Sequence, residues 1–145
     1  MCCRWREFKD DATKNPSFSR MLKPQVFNRD EIMSADTRTV EILQYTLQPG
    51  MGAAFHRIMR EISVPLHRRC AIDVVSFGNS LHNPDCYYLI RAFESIESRD
   101  KILEEFYAGD DWRLGPREEI IGCIENSLKT VLILPLQSVE GLRVQ

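Results

Sequence analysis

The chain has 145 residues, enough for one globular domain with little left over for a second. Hydrophobic residues make up 43% and charged residues 28%, a balance typical of folded globular proteins rather than disordered or fibrous ones. The 19 Lys and Arg against 21 Asp and Glu give a formal net charge of −2. Because phosphate binding normally needs a basic surface, this charge argues against nucleic acid as a partner.

The number of cysteines indicates the cellular compartment, and the length of the apolar runs indicates whether the chain spans a membrane. Five cysteines are present, an odd number without a Cys-x-x-Cys pair, so we expect reduced thiols in a cytoplasmic protein and no zinc site. No stretch approaches the roughly 18 apolar residues of a membrane span, so no membrane partner is expected. No group of His, Cys, Asp and Glu has metal-ligand spacing, and we expect neither a metal nor another cofactor.

The composition divides the chain into three parts. Residues 1–36 mix basic and acidic residues without an apolar period, and Pro16 and Pro24 interrupt any regular element. Such a stretch cannot bury enough apolar surface to offset its ordering entropy. We therefore expect a flexible or extended N-terminal segment over 1–36, a single domain over 37–136 and a tail over 137–145.

The first half of the domain reads as a strand, a helix and a hairpin. Thr39–Leu47 is rich in β-branched residues and predicts a strand. Pro65 should kink or end the helix that follows. Ala71–Phe77 and Cys86–Phe93 predict two strands, with a hairpin loop over 82–85. The helix is predicted from apolar residues on one stripe: Phe55, Ile58, Met59, Ile62 and Leu66.

The second half predicts helices and a last strand. Ser95 is a typical N-cap for a second helix, which Gly109 interrupts. Gly115-Pro116 followed by acids predicts another helix start, with Pro116 in its first turn. Lys129–Leu134 predicts the fourth strand. The order is β-α-β-β-α-β, an α+β, ferredoxin-like split β-α-β sheet with helices on one face.

The strands carry apolar residues on both faces of the sheet, and this pattern predicts how the chain assembles. In the third strand Leu89 and Phe93 face one side while Tyr88 and Ile90 face the other, and the other strands behave similarly. Helices from a domain of this size can cover only one face of the sheet. A second copy packed sheet against sheet is the simplest cover for the other face, so we expect a homodimer.

Two stretches resemble the NIPSNAP family, small bacterial-type members in particular. Val40–Gly50 (Val-Glu-Ile-Leu-Gln-Tyr-Thr-Leu-Gln-Pro-Gly) is similar to the family's opening strand, although Val40 replaces its Tyr and Leu43 its Arg. The stretch from Arg99 through Phe-Tyr-Ala to Asp111–Glu118 (Asp-Trp-Arg-Leu-Gly-Pro-Arg-Glu) is closer still. The resemblance implies a dimeric α/β barrel, in a superfamily that also contains small monooxygenases, isomerases and haem-degrading enzymes.

The histidines offer one weak catalytic candidate. His56 and His67 are separated along the first helix by about 16 Å, too far to share a metal ion. His67 is a candidate for proton transfer in a cleft, since histidine titrates near neutrality, although most histidines in such a position have no catalytic role. His56 is expected to be either solvated or at the edge of a groove.

A charge pair inside the sheet is the strongest specific expectation. The first and third strands should be antiparallel neighbours, with Glu41 opposite Arg91, Leu43 opposite Leu89 and Tyr45 opposite Tyr87. An unpaired Arg91 in an apolar strand would be costly. This pair has two possible roles. Either the two half-buried charges only neutralise each other, or the pair lines a cavity together with Tyr45 and Tyr87 and orients a polar group of a ligand.

These residues lead to two functional hypotheses. The first is a protein that binds a small, partly apolar molecule in a cleft between sheet and helices, using Glu41, Tyr45, Tyr87 and Arg91. Trp112 joins them as a candidate, unless it only packs across a helix break. Cofactor-independent oxygenase or isomerase chemistry is what the superfamily resemblance implies, and hydrolysis is disfavoured because no nucleophile–base set is present. The alternative is a non-catalytic homodimeric interaction or stress-response protein.

Overall fold

The computed structural model describes residues 36–143, and the N-terminal segment expected over 1–36 lies outside this range except for Asp36. The predicted α+β order is confirmed, with additional short helices. In chain order the elements are β1 (Thr37–Leu47), α1 (Gly52–Ile58), a π-helical turn (Met59–Ser63), α2 (Val64–Arg69), β2 (Asp73–Asn79), β3 (Cys86–Phe93), α3 (Ile96–Ala108), α4 (Asp110–Arg113), α5 (Arg117–Cys123), β4 (Ile124–Pro135) and α6 (Leu136–Gly141).

The four strands form one antiparallel sheet in the order β2-β3-β1-β4. The predicted register of β1 on β3 is confirmed, with Glu41 opposite Arg91 and Tyr45 opposite Tyr87. Strand β4 is longer than the predicted 129–134, because its pairing with β1 continues through the polar residues 125–127. Backbone pairing to a long neighbour does not need apolar side chains, so the apolar run alone underestimates this strand.

The first helix contains a π-helical turn that the apolar spacing does not reveal. The backbone N–H of Val64 bonds to the carbonyl of Met59, five residues back. Pro65 follows this wider turn in the first turn of α2, so the helix continues to Arg69 where we predicted a kink or an end. Because the turn adds one residue to the helical repeat, Ile62 is exposed and Ser63 takes the buried position.

Two other boundaries differ from the sequence prediction. Ala71 has a φ of 59°, a left-handed conformation that closes helix α2, so β2 begins at Asp73 rather than at Ala71. Pro116 is the N-cap of α5 rather than a residue of its first turn. The predicted Ser95 cap is confirmed, since its side chain accepts a hydrogen bond from the backbone N–H of Ser98 at 3.1 Å.

The main core lies between the sheet and the helices, around Phe55, Tyr87 and Leu89. A smaller core lies on the other face, where Val139 of α6 is fully buried against Val40 and Ala92. The expected tail over 137–145 is therefore wrong for residues 137–141, which belong to a short helix. The burial of Val139 contributes to holding this helix against the sheet.

Within 36–143, no helix is long and apolar enough to cross a membrane.

Candidate functional site

A cluster of polar side chains is buried on the helix-facing side of the sheet. Glu41 of β1 and Arg91 of β3 are 0% and 1% exposed. The Nε of Arg91 donates to Oε2 of Glu41 at 2.9 Å, and its Nη2 donates to the same oxygen. The pair predicted from sequence is thus present on one face of the sheet, and its geometry follows from the confirmed register.

Two further cations approach the other oxygen of this carboxylate. Arg99 of α3, whose side chain is 12% exposed, donates from Nη2 to Oε1 of Glu41. The Nζ of Lys129, on β4 and 55% exposed, lies 3.8 Å from the same oxygen. Burial raises the pKa of Glu41, but Arg91 and Arg99 together lower it below its ordinary value. Glu41 is therefore ionised at neutral pH and is a weak proton acceptor.

His67 is fixed in one protonation state by its neighbours. Its Nδ1 lies 2.7 Å from the carbonyl oxygen of Ser63, to which the ring donates. Nε2 is then left to accept from Nη1 of Arg91 at 3.2 Å. Burial, together with the charge of Arg91, lowers the pKa of His67 to about 4. The ring is therefore neutral near pH 7, and its Nε2 contacts Arg91.

An aromatic group lies between this cluster and solvent. The hydroxyl of Tyr107 accepts a hydrogen bond from Nη1 of Arg91 at 3.1 Å, while 42% of the residue remains exposed. The ring of Trp112 packs at 5.4 Å from that of Tyr107 and 5.3 Å from that of Phe106. Phe106 in turn lies 4.5 Å from the ring of His67. Trp112 thus supports the aromatic group across the break between α3 and α4.

Tyr45 and Tyr87 flank Phe55 on the same face of the sheet, at ring distances of 5.7 and 4.8 Å. Burial raises the pKa of both phenols, so both are neutral. The Tyr87 hydroxyl lies 2.9 Å from Nδ1 of His56, which is half-buried against it. The charges of Glu41, Arg91 and Tyr107 all affect the pKa of Tyr45, so this side chain lies close to the cluster.

The structure therefore brings together Glu41, Arg91 and His67, with Tyr45 beside them, whereas Tyr87 and Trp112 lie at the margins. Sequence reasoning missed three members, Arg99, Tyr107 and Lys129. Arg99 and Tyr107 belong to the stretch that carries the family resemblance, and that is the one sequence signal that pointed to them. We refer to Glu41, Arg91, Arg99, Tyr107 and Lys129 as the polar cluster.

Two grooves of about 440 Å³ each lie outside the sheet–helix interface. One is lined largely by residues of the face away from α1, such as Ile42, Tyr88 and Leu128, and its lining also includes the predicted Tyr45 and Tyr87. The other lies where the beginning of β1 meets the N-terminus of α3. Among residues 36–143, no group of three or more His, Cys, Asp and Glu is placed to hold a metal ion.

Comparison with known structures places this geometry in a known fold. A NIPSNAP family protein of unknown function from Agrobacterium tumefaciens is 19% identical, with a TM-score of 0.62 over 68% of this chain and 88% of that one. A NIPSNAP-like domain protein from Burkholderia xenovorans is 18% identical, with a TM-score of 0.62 over 68% and 85%. A proposed antibiotic biosynthesis monooxygenase from Bordetella bronchiseptica is 20% identical, with a TM-score of 0.51 over 67% and 94%.

No family model matches the sequence, and no curated protein matches it. At these identities the structural likeness shows the fold. The fold expected from the sequence resemblance is confirmed: the chain has the α+β fold of bacterial NIPSNAP proteins.

Proposed function

We propose that this chain is a NIPSNAP-like binding protein that takes up a small, partly apolar molecule at the polar cluster. The observation that carries the proposal is a buried Glu41–Arg91 pair connected to solvent through Arg99, Tyr107 and Lys129. A buried ion pair contributes little net stability compared with apolar side chains of similar volume. Its presence in the middle of a small core, next to partly exposed polar side chains, therefore favours a functional role.

The polar cluster offers a ligand charged hydrogen-bond donors and an apolar surface, the two kinds of contact found in small-molecule sites. Arg99 and Lys129 supply charged donors near the surface, and the exposed ring of Tyr107 supplies an apolar face. His67 and Glu41 hold Arg91 from two sides, so the inner wall of the site is rigid. Pre-organised donors of this kind lower the entropic cost of binding.

Any reaction at this site would need a proton acceptor other than the buried residues. Glu41 is ionised but neutralised by three cations, and Nε2 of His67 is occupied by Arg91. The fold is shared with a proposed monooxygenase, which extends the proposal to cofactor-independent oxygenation or isomerisation of the bound molecule. Binding is the part that the cluster itself supports.

Native mass spectrometry of the protein, purified without denaturation, tests the proposal together with a thermal-shift screen of small metabolites. We expect a retained molecule, or stabilisation by members of the screen that is lost in Tyr107→Ala. The control is Leu81→Ala, at a fully exposed apolar residue in the loop between β2 and β3, which should bind as the wild type does. An empty protein that no metabolite stabilises would contradict the proposal.

A second candidate function, assembly into a homodimer, is favoured by the face of the sheet that α6 covers only in part. Leu128 is 63% exposed there, and the apolar surface continues across β1, β3 and β4. This surface consists of Ile42, Tyr88, Ile90, Leu128, Leu132 and Leu134, each partly or largely exposed. Contiguous apolar surface of this kind is typical of an interface, and a two-fold contact would bury it on both copies.

Light scattering at micromolar concentration tests the homodimer. The wild type should have twice the mass of one chain, and Leu128→Asp should shift it to a monomer with unchanged circular dichroism. Leu114→Asp, at an exposed leucine next to α4, is the control and should remain dimeric. A folded wild-type monomer, or a Leu128→Asp dimer, would contradict this assignment.

A further inference from the structure

We infer that the molecule bound at the polar cluster carries a carboxylate, and that Arg99 and Lys129 bind that group. The inference rests on the proposed function and specifies the chemical class of its ligand. It follows from one unpaired donor, one ammonium beyond hydrogen-bond distance and the balance of charge around Glu41.

The unpaired donor is the Nε of Arg99. Its Nη2 donates to Glu41 and its Nη1 to Asp100, but Nε is buried without a partner among residues 36–143. It is the single buried side-chain nitrogen or oxygen in that range left in this state. Buried donors are almost always paired in folded proteins, by protein groups or by bound molecules such as water, and we assign the acceptor of this one to the ligand.

Lys129 supplies a second donor beside the first. Its Nζ lies 3.8 Å from Oε1 of Glu41, which is an ion pair but longer than a hydrogen bond. Since more than half of the side chain is exposed, the ammonium is free to turn towards a ligand. Nη2 of Arg99 and Nζ of Lys129 both approach Oε1 of Glu41, so a carboxylate bound beside Glu41 can contact both residues.

The balance of charge favours a single negative charge on the ligand. Three cations, Arg91, Arg99 and Lys129, surround Glu41, and the one further anion in contact is the exposed Asp100. The cluster thus keeps one excess positive charge. A monocarboxylate balances it, whereas a doubly charged phosphate would leave a negative charge beside buried Glu41. The exposed ring of Tyr107 favours an apolar body attached to the carboxylate.

Benzoate and its neutral analogue benzamide test the inference, because they share their shape and differ in charge. We expect benzoate to bind at least about tenfold more tightly in a titration followed by NMR, since charge-assisted hydrogen bonds exceed neutral ones by that much or more. Lys129→Gln should weaken benzoate about tenfold and leave benzamide unchanged. Lys101→Gln, an exposed lysine on α3, is the matched control and should bind both as the wild type does.

Arg99→Gln removes the unpaired donor and should abolish the preference for benzoate. Because it also removes a partner of Glu41, its fold is checked by circular dichroism, and Lys129→Gln carries the test if it does not fold. Equal binding of the two probes would overturn the carboxylate inference and leave the proposed function standing. Benzoate binding that neither variant changes would also overturn the inference. Absence of binding by both probes and by every metabolite in the screen would overturn the inference and the proposed function together.

Discussion

Glu41→Gln should destabilise the fold more than Arg91→Met, although each variant removes one half of the same ion pair. In Glu41→Gln the guanidinium of Arg91 stays charged and buried, and the acceptors left to it, on the new amide, His67 and Tyr107, are all neutral. Removing one partner of a buried pair in this way costs about 3–5 kcal/mol. In Arg91→Met the carboxylate of Glu41 keeps Arg99 and Lys129, so the loss should be nearer about 1–3 kcal/mol.

Equilibrium unfolding in urea, followed by circular dichroism, measures both losses. The double variant Glu41→Leu with Arg91→Met removes both charges and should be more stable than Glu41→Gln alone, because apolar side chains can replace a buried pair at little cost. The reference is Arg60→Gln, which breaks an exposed pair with Glu61 and should cost less than about 1 kcal/mol. The reasoning is refuted if Arg91→Met costs as much as Glu41→Gln, or if Glu41→Gln costs no more than Arg60→Gln.

The same unfolding measurement checks three further expectations. Because burial lowers the pKa of His67 from 6.5 to about 4, the unfolded chain binds a proton in that window that the folded chain does not. Stability should therefore fall by about 3 kcal/mol as the pH drops through the window, and His67→Asn, unlike His82→Asn, should remove that dependence. Ser95→Ala should cost about 1 kcal/mol by removing the cap of α3, and an unchanged midpoint would contradict it. Val139→Ala should cost about 2 kcal/mol because this side chain is fully buried, whereas the more exposed Leu142→Ala should cost almost nothing.

The centre of the site was predictable from sequence because it depends on local rules. The antiparallel neighbours β1 and β3 follow from the order of elements, and charge pairing then selects the register that joins Glu41 to Arg91. The cap at Ser95 was equally readable, since an N-cap is decided by a residue and its next few neighbours.

The rest of the site depends on tertiary placement that no local pattern specifies. Arg99 and Tyr107 reach the cluster because of how α3 is rotated against the sheet, and Lys129 because β4 extends beyond its apolar run. The protonation state of His67 depends on the π-helical turn, which sets the carbonyl of Ser63 against its ring. The burial of His67 is a second consequence of this placement, and the apolar spacing of the sequence does not show it.

The Nε–H resonances of the arginine side chains, recorded by NMR while benzoate is added, test ligand binding at the polar cluster most directly. The resonance of Arg99, assigned by its absence in Arg99→Lys, should shift to a saturating limit as its unpaired donor gains an acceptor. The resonances of exposed Arg60 and Arg117 should not move with it. Saturable binding of benzoate with no change at Arg99 or Arg91 would contradict the account.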